Sequence, residues 1–240
     1  MAPGLSRKLQ QHHASSAAGL AHDLAAYLAQ QLREAIQSKG QAMLAVSGGK
    51  SPIALFEALR SQALDWAKVI VILVDERCVA PEHADSNTNL VRKHLLQDLA
   101  AAAEFIPFFD TLTEPLDDGA LDALVDTANR RLATLPWPIY VAVLGMGEDG
   151  HTASLFPAAP GLDKALRSSG PVAWVRPVNA SHARLTLTLP VLLACRQLVI
   201  SLSGQAKQAI YRLALTQLDP ALPVSLLLHQ QQTPVSVWLS

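Results

Sequence analysis

Two spacings of apolar residues run along this chain. Between positions 17 and 37, Leu20, Leu24, Leu28, Leu32 and Ile36 recur four apart with polar residues on the other face, which predicts an amphipathic helix. Gly40 fits a stop signal just past its end. Elsewhere the apolar residues come in short runs, at 42–46, 69–74, 139–144 and 198–202, each read as a buried strand. Helical patterns separate them. Ser51-Pro52 opens one that carries Ile53, Leu55, Phe56 and Leu59, with serine as cap and proline at the first helical position. Residues 89–99, 120–135 and 204–215 predict further helices. Residues 172–178 and 185–189 predict shorter strands, and 225–228 and 235–239 predict edge or terminal strands. The stretch 104–119, rich in Pro and Asp, reads as a surface loop. Strands that are apolar on both faces and alternate with helices predict an α/β fold: a mostly parallel sheet covered by helices on both faces. Residues 1–16 read as a flexible polar N-terminus, and 17–240 as a single α/β domain.

Composition narrows this picture. The chain has 240 residues, half of them apolar and 16% charged, which suits a packed core. A formal net charge of −1 gives no global field toward nucleic acid or acidic membranes, so any positive charge for a small anion must be local. Cys78 and Cys195 lie far apart and match neither a disulfide framework nor zinc-ligand spacing, so two free thiols are expected. No run approaches the ~20 apolar residues that span a bilayer. Nothing in residues 1–16 resembles the apolar core of a signal peptide, and a cytoplasmic protein is expected. His12-His13 belong to the frayed terminus in this reading.

The chemistry gathers at strand ends. In a parallel sheet, ligands bind outside the carboxyl ends of the strands. Four such ends carry Ser47-Gly48-Gly49, Asp75-Glu76-Arg77, Gly145 to His151, and Ser203 to Lys207, which places them on one rim. Ser47-Gly48-Gly49-Lys50-Ser51-Pro52 puts backbone N–H groups at a helix start, suited to a phosphate. It is not a P-loop, because Leu44 stands where that motif needs glycine. Gly145-Met146-Gly147-Glu148-Asp149-Gly150 matches the dinucleotide fingerprint formally, but Pro157 and Pro160 interrupt the long helix that should follow. What remains is an imidazole, His151, two residues from a carboxylate, Asp149, in a glycine-rich turn. That arrangement suits a general base, although spacing alone does not establish contact. Arg77 offers a planar fork for a phosphate or carboxylate.

Together these segments resemble the 6-phosphogluconolactonase family over nearly the whole chain and in order. They run from Ser47-Gly48-Gly49 through Val74-Asp75-Glu76-Arg77-Cys78-Val79 and Asp85-Ser86-Asn87. They continue with Leu144 to Pro157, Arg184-Leu185-Thr186-Leu187-Thr188 and Gly204-Gln205-Ala206-Lys207. The segment around His151 is the most specific. The glucosamine-6-phosphate deaminases are the nearest relatives in fold, but Thr152 to Pro157 and Arg77 depart from their pattern toward the lactonases. Lys50 departs from the lactonase pattern, where a small hydroxyl residue is common. The resemblance implies a catalytic domain that hydrolyses a phosphosugar lactone with no metal or cofactor, as a monomer or weak homo-oligomer. It implies His151 and Asp149 as catalytic. Ser47, Gly48, Gly49, Lys50, Asp75, Arg77, Gly147, Arg184 and Lys207 would bind substrate. The rival readings are a deaminase of glucosamine 6-phosphate and a phosphosugar-binding regulator without catalysis.

Overall fold

The computed structural model describes residues 8–240. Residues 1–7 of the expected flexible terminus lie outside them. Ser16 opens helix α1 (Ala17–Lys39) by accepting the Gly19 N–H at 3.1 Å, and Gly40 closes it with φ 81°, in the left-handed region that glycine tolerates. The predicted stripe Leu20, Leu24, Leu28 and Leu32 is buried against the sheet and α2 (Ile53–Arg60).

Among the described residues, seven strands form one sheet. They are β1 (Leu9–His13), β2 (Ala42–Val46), β3 (Val69–Leu73), β5 (Glu104–Ile106), β6 (Val141–Leu144), β9 (Gln197–Leu202) and β10 (Val235–Leu239). Their order is β1-β10-β9-β6-β2-β3-β5, and every pairing is parallel. β2, β3, β6 and β10 are buried at every position, as strands covered on both faces must be. The remaining helices are α3 (Asn87–His94), α4 (Asp118–Leu132), α5 (Leu162–Arg167), α6 (Leu189–Ala194), α7 (Gln205–Thr216) and α8 (Val224–Leu228).

A second sheet departs from the sequence reading. β4 (Asp75–Arg77), β8 (Arg184–Leu187) and β7 (Val172–Val175) pair antiparallel in the order β4-β8-β7. Asp75-Glu76-Arg77 is therefore not the tail of a parallel strand but a strand of its own. Val74 is the junction. Its N–H donates to Val46 O at 2.9 Å in the first sheet, and its carbonyl accepts from Leu187 N at 2.8 Å in the second.

Four smaller expectations also fail. Leu9 to His13 are not frayed: they pair with β10, and His12 stacks on Trp238 with ring centroids 4.2 Å apart. Residues 224–228 form a helix rather than a strand, since a short apolar run does not separate the two. The predicted loop begins with β5, which adds to β3 at the sheet edge. Ser51 caps nothing: Pro52 occupies the N-cap of α2, with no side-chain cap bond.

Candidate active site

The carboxyl ends of β2 and β6, the start of α7 and strand β4 surround a cleft of about 310 Å³. Ser47, Gly48, Gly49, Lys50, Asp75, Arg77, Gly147, His151 and Lys207 all line it, so the fold brings these residues to one cleft. Asp149 reaches it through His151. Arg184 does not line it.

The loop after β6 builds the catalytic candidate. Thr152 Oγ1 donates to Gly145 O at 2.8 Å, and the Gly147 N–H donates to His151 O at 2.9 Å, so the loop folds back on itself. Asp149 Oδ1 lies 2.5 Å from His151 Nδ1 and accepts the His151 N–H at 3.1 Å. A carboxylate at that nitrogen fixes Nδ1 as the protonated one and leaves the lone pair on Nε2. Phe156 stacks on the imidazole with centroids 4.0 Å apart, which holds the ring from one face. Gly147 is required by space: a Cβ there would sit 2.2 Å from the His151 ring. Its N–H is already committed, so it serves the site by making room rather than by donating to a ligand.

The first glycine turn is shaped by Asn87. A Cβ at Gly48 would fall 1.8 Å from Asn87 Oδ1, so only glycine admits this side chain. Asn87 Nδ2 donates to Asp75 O at 2.7 Å, linking the turn to β4. Asp75 itself is held by Ser154, whose hydroxyl donates to its carboxylate at 2.6 Å. The loop carrying His151 is thereby tied to the strand carrying Arg77.

Behind Asp75 and Arg77 lies Glu76, 2% exposed. Its carboxylate accepts the N–H groups of Arg77, Asn87 and Thr88 at 2.6, 2.7 and 2.7 Å and the Ser86 hydroxyl at 3.1 Å. Burial pushes this carboxyl above its ordinary range, and the N–H donors of Asn87, Thr88 and Arg77 pull the other way. Asn87, Ser154 and Glu76 escape a residue-by-residue reading, since their partners lie across the fold. For Asn87 the Gly48-Gly49 turn was a usable signal: glycine is needed where another group approaches closely.

Positive charge rims the cleft. Lys207 sits in the first turn of α7, where a cation opposes the helix dipole. The same position favours an anion, through both the dipole and the lysine. Arg77 donates through Nη1 to Asp85 O at 2.6 Å. The sequence assigns Arg184 to substrate contact; in the structure it is 8% exposed, pairs with Arg77 across β4 and β8, and donates to His182 O at 3.0 Å. Its charge acts from behind Arg77.

Known proteins share this architecture. Residues 15–238 match the family model described as glucosamine-6-phosphate isomerases/6-phosphogluconolactonase. A 6-phosphogluconolactonase of Pseudomonas aeruginosa is 46% identical over 209 residues, covering 85% of this chain and 84% of that protein. One from Pseudomonas putida is 43% identical, covering 91% and 88%. The crystal structure of a 6-phosphogluconolactonase from Shewanella baltica superposes with a TM-score of 0.91 at 37% identity, covering 99% of this chain and all of that one.

Proposed function

Because the chain belongs to the glucosamine-6-phosphate isomerase/6-phosphogluconolactonase family, we propose that it hydrolyses 6-phospho-D-glucono-1,5-lactone to 6-phosphogluconate in the oxidative pentose phosphate pathway. The observation that carries this reading is the His151–Asp149 pair at 2.5 Å in a cleft rimmed by Lys50, Arg77 and Lys207. The imidazole answers the chemistry and the cations answer the phosphate.

His151 Nε2 takes a proton from water as the water oxygen bonds to the lactone carbonyl carbon. Asp149 holds the Nδ1 proton and stabilises the imidazolium that forms. The carbonyl becomes an oxyanion, for which the N–H groups of Gly48 and Gly49 are candidate donors. When the tetrahedral centre collapses, the ring C–O bond breaks and His151 returns its proton to the departing ring oxygen. The carboxylic acid product ionises in water. The phosphate lies toward Arg77 and Lys207, with Lys50 at the open edge.

The test follows acid release from lactone freshly made from glucose 6-phosphate, corrected for its spontaneous opening in water. His151→Ala lowers kcat by about 100- to 10,000-fold, the range of general-base assistance, while 6-phosphogluconate still binds. Near-normal turnover in that variant sinks the assignment of the base. Ammonia release from glucosamine 6-phosphate by the unaltered protein would move the chain to the deaminase branch.

A further inference from the structure

Arg77 and Arg184 are cross-strand partners in the β4–β8 pair, Arg77 lining the cleft and the buried Arg184 lying behind it. Such a pair repels itself. Arg184 is held below the usual arginine range, first by burial and then by Arg77. Something must aim the two forks while no anion neutralises them. The restraint comes from two loops. Arg77 Nη1 donates to the carbonyl of Asp85 at 2.6 Å, and Arg184 Nη1 donates to the carbonyl of His182 at 3.0 Å. The side chains of these same two residues meet: His182 Nε2 lies 3.2 Å from Asp85 Oδ2. The connections therefore close a ring, from Arg77 through Asp85, His182 and Arg184 back to Arg77 across the strands.

His83 completes the cluster. It accepts the Asp85 N–H through Nδ1 at 3.0 Å, which fixes the Asp85 loop, and its ring meets His182 edge-on at 5.8 Å. Neither Asp85, His83 nor His182 lines the cleft. Their side chains are partly exposed, and a polar contact in such a setting adds little to folding stability. Its effect falls on where two carbonyls stand, and so on where two arginines point.

We propose that the Asp85–His182 pair is a positioning clasp that aims Arg77 at the phosphate ester of the substrate, with Arg184 held behind it as supporting charge, and so sets affinity for phosphorylated over unphosphorylated sugar acids. This rests on the lactonase reading for the identity of the substrate, but not for the presence of an anion site. Asp85 and His182 act through the arginines and touch no reacting atom.

The experiment compares the unaltered protein with Asp85→Asn, His182→Gln and the double variant. Calorimetry measures binding of 6-phosphogluconate and of gluconate, and lactone hydrolysis is followed in parallel. Each single change weakens 6-phosphogluconate binding and raises KM by about 3- to 10-fold, part of what a well-aimed charge-assisted hydrogen bond contributes. The kcat stays within about twofold, since the His151 loop is untouched. The double variant is no worse than either single one, as members of one ring are not additive. Unchanged affinity in both single variants overturns the clasp. So does additive loss, or a fall in kcat with KM unchanged. Failure of the unaltered protein to bind 6-phosphogluconate also overturns it. A protein that binds 6-phosphogluconate through the clasp yet opens no lactone refutes the proposed activity and leaves the clasp standing.

Discussion

Gly147 and Glu76 put opposite demands on single positions. At Gly147 the constraint is volume. Gly147→Ala drives its methyl into the His151 ring, so kcat falls while the melting temperature stays close to that of the unaltered protein, because Gly147 is only half-buried and Glu148 and Asp149 beside it are exposed. A fully active Gly147→Ala would mean that the imidazole sits elsewhere in solution. At Glu76 the constraint is polarity, since both carboxylate oxygens accept backbone N–H groups. Glu76→Gln turns an NH₂ toward a donor and lowers stability by about 1–3 kcal/mol in urea titrations. The pH dependence follows from the raised carboxyl. A group whose native pKa is raised contributes fully below its ordinary value, here 4.5, and loses that contribution as pH rises through the native value. Glutamine does not titrate, so the stability gap between the two proteins narrows from pH 4.5 upward. A gap that widens over that range would refute the assigned direction.

Elements differ in how openly the sequence declares them. α1 was plain, because its leucines recur at helical spacing over many turns, and the structure buries them. Leu28→Ala there leaves a cavity under a fully buried position and costs about 2–5 kcal/mol in denaturant unfolding. Strands β2, β3 and β6 are equally plain as unbroken apolar runs, and β9 as a run interrupted only at Ser201 after Gln197. β4 was hidden because its three residues are charged or acidic, and only pairing with β8 makes them a strand. β1 was hidden because Gln10, Gln11, His12 and His13 carry no apolar pattern, and an edge strand needs little of one. α8 failed for the reverse reason, an apolar run too short to show a period. The candidate site followed the same division. Glycines, His151 and the cations were legible from residue type at strand ends. The Asn87 wedge and the displacement of Arg184 from the cleft wall depend on segments distant in sequence meeting in space, which spacing along the chain does not encode.

For the molecule as a whole, the core governs its thiol chemistry. Cys78 and Cys195 are both buried, and burial pushes each thiol up to about 12. The native protein at pH 8 should give almost no colour with a thiol-specific disulfide reagent, whereas in guanidinium both cysteines react. Rapid labelling of the native state would show that the core opens more readily than its packing suggests. The first sheet imposes a different discipline, one of time. Its edge strand β1 pairs with β10 at Leu9 and Val235, two positions at opposite extremes of the described chain. At a synthesis rate of about 5–20 residues per second, a ribosome makes one roughly 10–45 s before the other. The nascent β1 must wait in water for its partner, and its glutamines and histidines, unhelpful to a reader of the sequence, let it wait without sticking.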